Sequence, residues 1–102
     1  MNGAAASAKG VRFERKIRRL FEEGGFTVRG LEAEGDHVAF SRDGLVLSSE
    51  CKDQRRLKIP EWWAQASADS VPGSVTTLSF NLYRVGPLTV CRTPDFVQLV
   101  AR

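Results

Sequence analysis

The tripeptide Arg42-Asp43-Gly44 separates two short apolar runs, 36–41 and 45–52, and constrains this 102-residue chain more than any other feature. Asp-Gly between such runs signals two antiparallel strands joined by a tight turn, because glycine accepts the positive φ the turn needs. Two registers satisfy it. A two-residue loop over Asp43-Gly44 sets Asp36 opposite Cys51. A three-residue loop, with Gly44 as the left-handed bulge residue, pairs Ser41 with Leu45 and sets Asp36 opposite Glu50. Side chains alternate along a strand, so a slip of one residue turns a whole set to the other face. Only the three-residue loop gathers Asp36, Val38 and Phe40 on one face with Val46, Ser48, Glu50 and Lys52. That register is the expectation, partly because the chemistry of the two acids requires it.

The rest of the chain supplies partners for this hairpin. Residues 9–23 read as an amphipathic helix, with Phe13, Ile17, Leu20 and Phe21 at i, i+4, i+7 and i+8. Gly24-Gly25 ends it. Glu14 falls at the edge of that stripe, half-buried, placed either to pair with an arginine or to look along the border of the core. Phe26 to Arg29 reads as a short strand. Pro60 to Ser70 reads as a second helix, Pro60 suiting its first turn and Glu61 its positive end. Pro72-Gly73 breaks the chain. Val75 to Val85 and Leu88 to Cys91 read as strands separated by Gly86-Pro87, and 94–100 as a short closing helix. The predicted fold class is α/β: a mixed β-sheet flanked by helices, in the order α-β-β-β-α-β-β. A flexible stretch, 1–8, is expected before a single domain, 9–102.

Composition excludes several classes. Apolar residues at 42% against charged ones at 26% suit a globular domain rather than a disordered chain. No apolar run approaches the ~18 residues of a membrane span. Met1 to Lys9 lacks the apolar stretch of a secretory signal. Cys51 and Cys91 lie in strand-like runs without CxxC spacing, and His37 is the sole histidine. They read as reduced thiols of a cytoplasmic protein, not a zinc site or a secreted disulfide scaffold.

Charge is divided unevenly. Residues 9–29 carry seven bases against three acids, residues 30–51 carry five acids against one base, and residues 52–58 carry four bases against one acid. The flanks suit a polyanion, held through phosphate contacts and counterion release. The acids between them (Glu32, Glu34, Asp36, Asp43 and Glu50) would repel it unless neutralised. A divalent cation does that; a merely solvated basic helix face is the plain alternative.

Glu50-Cys51-Lys52 carries the chemistry. Residues i and i+2 of a strand point the same way, so Glu50 and Lys52 share a face. Across the ladder Asp36 and Glu50 would have Cβ atoms ~4.5 to 5.5 Å apart. Two carboxylates so close require a shared proton or a cation. Mg²⁺ takes oxygen ligands and keeps several waters, which two or three carboxylates with open positions allow. Lys52 is placed to hold an attacking water or to stabilise charge on a phosphoryl transition state.

A helix glutamate, an aspartate opening a hairpin, ExK in the next strand and a basic segment after it together resemble the PD-(D/E)xK nuclease superfamily. Within it the likeness is to the small archaeal- and phage-type Holliday junction resolvases. The residues that carry it are Lys9-Gly10-x-x-x-Glu14-Arg15, Gly24-Gly25-Phe26-x-Val28, Gly35-Asp36 and Glu50-Cys51-Lys52. Glu34-Gly35, rather than a proline, precedes Asp36. The resemblance implies a restriction-endonuclease-like fold and a homodimeric, Mg²⁺-dependent endonuclease, with Mn²⁺ able to substitute, that cuts branched double-stranded DNA by paired phosphodiester cleavage. It implies Asp36 and Glu50 as metal ligands, Lys52 on the water, and Glu14 completing the acidic cluster. By the same likeness Lys9, Arg15 and Arg29 contact the DNA backbone, and Gln65 is a polar neighbour of the site. Arg12, on the same basic helix, and Arg55, Arg56 and Lys58, close behind the ExK strand, are further candidate phosphate contacts. No small-molecule cofactor and no membrane are implied.

Other residues are weighed beside these. Trp62 and Trp63 diverge by ~100° on a helix, so both cannot face one core. One is expected in the core, and the other anchors a dimer, packs locally or stacks on an unpaired base. His37 points away from Asp36 and reads as structural. Ser48 and Ser49 make no nucleophilic triad with it. Two rival functions share the pattern: a nicking or restriction-like nuclease on duplex or flap DNA, and a non-cleaving DNA-binding subunit of the same fold.

Overall fold

The computed structural model describes residues 3–30 and 36–101, with side chains from Ala8 onward. Glu32, Glu34 and Gly35 lie outside the described residues. Helix α1 (Gly3–Glu23) leads to strands β1 (Thr27–Gly30), β2 (Asp36–Phe40) and β3 (Val46–Lys52). Helix α2 (Ile59–Asp69), strands β4 (Val75–Leu82) and β5 (Gly86–Val90), and helix α3 (Thr93–Val100) follow. The chain is an α/β domain with one five-stranded mixed sheet in the order β1-β2-β3-β4-β5. α1 starts six residues before Lys9, through alanine-rich sequence that favours helix. No helix among the described residues is long and apolar enough to cross a membrane.

The hairpin takes the three-residue loop. Ser41 N–H donates to the Leu45 carbonyl at 2.9 Å, and Gly44 has a φ of +91°. The Ser41 hydroxyl accepts from Leu45 N–H at 2.9 Å and donates to Asp43, which fixes the corner. Asp36 therefore stands opposite Glu50, and Val38 opposite Ser48. β3 and β4 run parallel, with α2 as the crossover that a parallel pair needs.

Helices cover both faces. On one, Phe13 and Ile17 of α1 pack against Cys51, beside a second cluster of Val28, Ala39 and Leu47. On the other, Trp62 of α2 packs on Leu78 and Phe80. Trp62 is 4% exposed, the core member of the pair, and Trp63 is half-buried against the same cluster. Exposed apolar side chains include Phe96, Val97 and Val100 on α3.

The second turn falls earlier than expected. Tyr83, Arg84 and Val85 form it, closed by Val85 N–H donating to the Leu82 carbonyl at 2.9 Å, with Arg84 at a φ of 66°. Gly86-Pro87 opens β5 rather than separating strands. Pro87 lacks an N–H, and β5 is an edge strand, where a missing donor is tolerated.

Candidate metal centre

Asp36 opens β2, Glu50 lies two residues before the end of β3, and the register sets them face to face. Alternation along β3 sends Glu50 and Lys52 to the α2 side, with their ladder partners Leu78 and Phe80, while Cys51 turns to α1. α2 ends over this spot with Asp69. Oxygens of Asp36, Glu50 and Asp69 lie within 4.8 Å of one another.

Asp36 is 4% exposed and Glu50 2%, whereas Asp69 is open to solvent. Asp36 Oδ1 and both Glu50 carboxylate oxygens are buried without a hydrogen-bond partner. Lys52 Nζ comes within 3.4 Å of Glu50 Oε1, an ion pair whose alignment falls short of a hydrogen bond. Of the three carboxylates, Lys52 pairs with that of Glu50. Burial, reinforced by the Asp36 carboxylate and only partly opposed by Lys52, pushes the Glu50 carboxyl up to about 8. A buried polar group left unpaired costs on the order of 1–3 kcal/mol, and more when charged, so this arrangement is unfavourable as it stands.

The fold nevertheless holds it firmly. Ser70 Oγ donates to the Ala66 carbonyl at 2.8 Å and lies 2.5 Å from Thr76 Oγ1. Val71 N–H donates to Ser48 Oγ at 2.9 Å. These bonds pin the end of α2 to β3 and β4 and so fix Asp69. An acid at the negative end of a helix, with no base in that last turn, is itself unfavourable. Three acids placed against electrostatics, around a cavity of about 10 Å³, leave room for one water-sized occupant. An all-oxygen anionic donor set fits a hard divalent cation of the Mg²⁺ and Mn²⁺ class.

Histidine and cysteine are excluded from this set by the sheet. His37 is buried on the α1 face, edge-on to Phe21 at 5.6 Å, with Nδ1 3.9 Å from Cys51 Sγ. Burial, and secondarily Arg18, pushes its pKa down to about 4, so it is neutral. Burial pushes the Cys51 thiol up to about 12. Both cysteines are free.

The carboxylates that lie together differ in one member from the expected set. Glu14 is not in the carboxylate group: it sits on α1, which packs on the Cys51 face, and lies 3.9 Å from Arg18. Asp69 takes the third place. Its available signal was an acid at the end of a helix that follows the ExK strand. Gln65 lies one turn earlier on α2, exposed, and does not line the cavity. The basic candidates Lys9, Arg12, Arg15, Arg29, Arg55, Arg56 and Lys58 are all exposed. Lys9 Nζ is 3.8 Å from Asp53, and the Arg55 guanidinium lies 4.8 Å from the Tyr83 ring. No model of a known family matches the chain, and no curated protein matches it in sequence.

Proposed function

We propose that this protein is a Mg²⁺-dependent endonuclease of the PD-(D/E)xK type, with a restriction-endonuclease-like fold, that cuts four-way DNA junctions. The observation that carries this reading is the buried Asp36–Glu50 pair, only partly compensated by Lys52 on the same face. A domain that used the site only for binding would have no physical reason to keep two facing acids beside phosphate.

Asp36, Glu50 and Asp69 would hold the cation, Asp69 from the solvent side. When bound, it supplies Lewis-acid polarisation of the phosphoryl group and a more acidic water. The chain's own residues do the rest. The Lys52 ammonium, held near Glu50, orients the attacking water and stabilises negative charge gathering on the phosphoryl oxygens. The exposed bases of α1 and of residues 55–58 bind the DNA backbone on either side of the acidic cluster. A homodimer supplies the second cut, and the apolar face of α3 is the surface that best suits a protein contact. The expected location is the cytoplasm.

The test offers labelled four-way, flap and linear DNA of one sequence with Mg²⁺. Paired nicks confined to the four-way substrate support the proposal. Equal cutting of linear duplex removes junction selectivity, and no cutting of any substrate removes the nuclease.

A further inference from the structure

Lys52 is followed at once by Asp53, and its ladder partner Phe80 by Asn81. The ends of β3 and β4 therefore carry a second constellation on the α1 face, at the same edge of the sheet as the metal centre. Lys9, Asp53, Gln54, Arg55, Asn81 and Tyr83 line a cleft of about 180 Å³ there. Tyr83 stands at the tip of the β4–β5 turn and is 64% exposed, as is Val85 beside it. Its ring has the Arg55 guanidinium 4.8 Å away and that of Arg84 5.4 Å away. Arg84 holds a left-handed backbone conformation that a residue with a Cβ rarely adopts.

We infer that this cleft binds an unpaired nucleobase, stacked on Tyr83 with its edge toward Gln54 and Asn81 and the flanking phosphates of its strand against Arg55 and Arg84. The inference rests on the nucleic-acid reading above and deepens it. The floor of the cleft argues for a base rather than a phosphate. Asp53 lies there, 3.8 Å from Lys9 Nζ and 3.5 Å from Asn81 Nδ2, and a carboxylate repels phosphate but accepts from an exocyclic amine. The amides of Gln54 and Asn81 each offer a donor and an acceptor to a base edge. An exposed cation–π contact is worth about 0.5–1 kcal/mol, whereas a base stacked on an aromatic ring is worth about 1–3 kcal/mol. A base therefore displaces a guanidinium from Tyr83, freeing it for the adjacent phosphate. Paired bases stay covered in the duplex, so the cleft reads a base uncovered where strands part at the branch point, beside the metal centre.

Fluorescence anisotropy in EDTA, where nothing is cut, reads binding of a forked duplex with unpaired arms and of a blunt duplex of equal length. The wild type is expected to favour the fork. Tyr83→Ala should weaken fork binding about 5- to 150-fold and leave blunt-duplex binding within about twofold. Tyr83→Phe should keep the preference, because the ring and not the hydroxyl stacks. The side chain is exposed, and a thermal melt of each variant checks that the fold is kept. Equal losses on both DNAs, no loss on either, or loss of the preference in Tyr83→Phe overturns the inference. If Tyr83→Ala binds the fork normally while Glu50→Gln abolishes Mg²⁺-dependent cutting, the stacking cleft falls and the nuclease stands. If the wild type binds neither DNA, both fall.

Discussion

Replacing Glu50 by glutamine should stabilise the metal-free protein, which is the reverse of what a buried residue in a structural ion pair would show. Glu50 is 2% exposed, and its carboxyl is raised from 4.5 to about 8, first by burial and then by Asp36. Between those values the folded state keeps a proton that the unfolded chain releases. Stability therefore falls as pH rises through the window, by up to about 1.4 kcal/mol per unit. Summed to pH 8, the shift corresponds to a destabilisation on the order of 4–5 kcal/mol. Glutamine keeps the shape, carries no charge and can donate to Asp36, but it leaves an amide oxygen unmet at about 1–3 kcal/mol. The expected net gain at pH 8 in EDTA is about 2–3 kcal/mol, or roughly 10–20 °C in Tm for a domain of this size. At pH 4 the order should reverse, the variant being less stable by about 1–3 kcal/mol, because Glu50 is then mostly protonated in both states and only the unmet amide oxygen remains. Adding Mg²⁺ at pH 8 should reverse the order: a cation at 1,000 times its Kd stabilises the wild type by about 4.1 kcal/mol, and the variant, lacking one ligand, by much less. Urea denaturation at both pH values, with EDTA and with Mg²⁺, reads all four cells. A variant less stable than wild type in EDTA at pH 8 would show that Lys52 already compensates Glu50, and the argument for a cation would fail.

Asp36→Asn should abolish Mg²⁺-dependent cutting while DNA binding in EDTA holds or tightens, since one charge opposing phosphate is gone; normal cutting by this variant would remove Asp36 from the ligand set. Asp69→Asn should weaken Mg²⁺ binding about 10-fold or more with little change in stability in EDTA, as titration calorimetry would measure; unchanged affinity would make the solvent-side acid a bystander. His37→Leu should change the pH profile of stability. His37 is held neutral to about 4, so from pH 6.5 downward the unfolded chain takes up a proton that the folded one refuses, and stability falls. Over pH 4.5–6.5 that limb opposes the Glu50 limb, so the wild type should be nearly flat and His37→Leu should gain stability on acidification. Arg15→Ala should weaken binding to every DNA alike and reduce the salt slope by about one unit, and a sequence-dependent loss would instead identify a base contact.

The parts of this molecule that were readable in sequence are those governed by local rules. Ser41, Asp43 and Gly44 specify their own turn, and alternation then carries Asp36 to Glu50 with no further information. The stripe of Phe13 and Ile17 locates α1, and Pro60 locates α2 within one residue. What failed depends on neighbours distant in the chain. Gly86-Pro87 reads locally as a break, but β5 lies at the sheet edge, where proline costs no ladder bond, so the turn moved to Tyr83–Val85. Glu14 has the composition of a ligand and the correct helical phase for half-burial, yet which face of the sheet α1 covers is a tertiary fact.

The exchange of Glu14 for Asp69 bears on how such a site is recognised. A carboxylate on α1 would have had to reach round the end of β3 to the other layer, because Cys51 and Glu50, adjacent in sequence, face opposite layers. The helix that follows the ExK strand has no such obstacle: it must return across the Glu50 face to bring β4 parallel to β3, and its end falls beside Asp36. Parallel pairing thus delivers the third acid to the first two, and Ser48, Ser70 and Thr76 lock the delivery in place. The serine and threonine hydroxyls between α2 and the sheet are then part of the centre's construction. They hold an arrangement of like charges that the chain would otherwise relax, and on the proposed function the stability lost to it returns when a cation is bound.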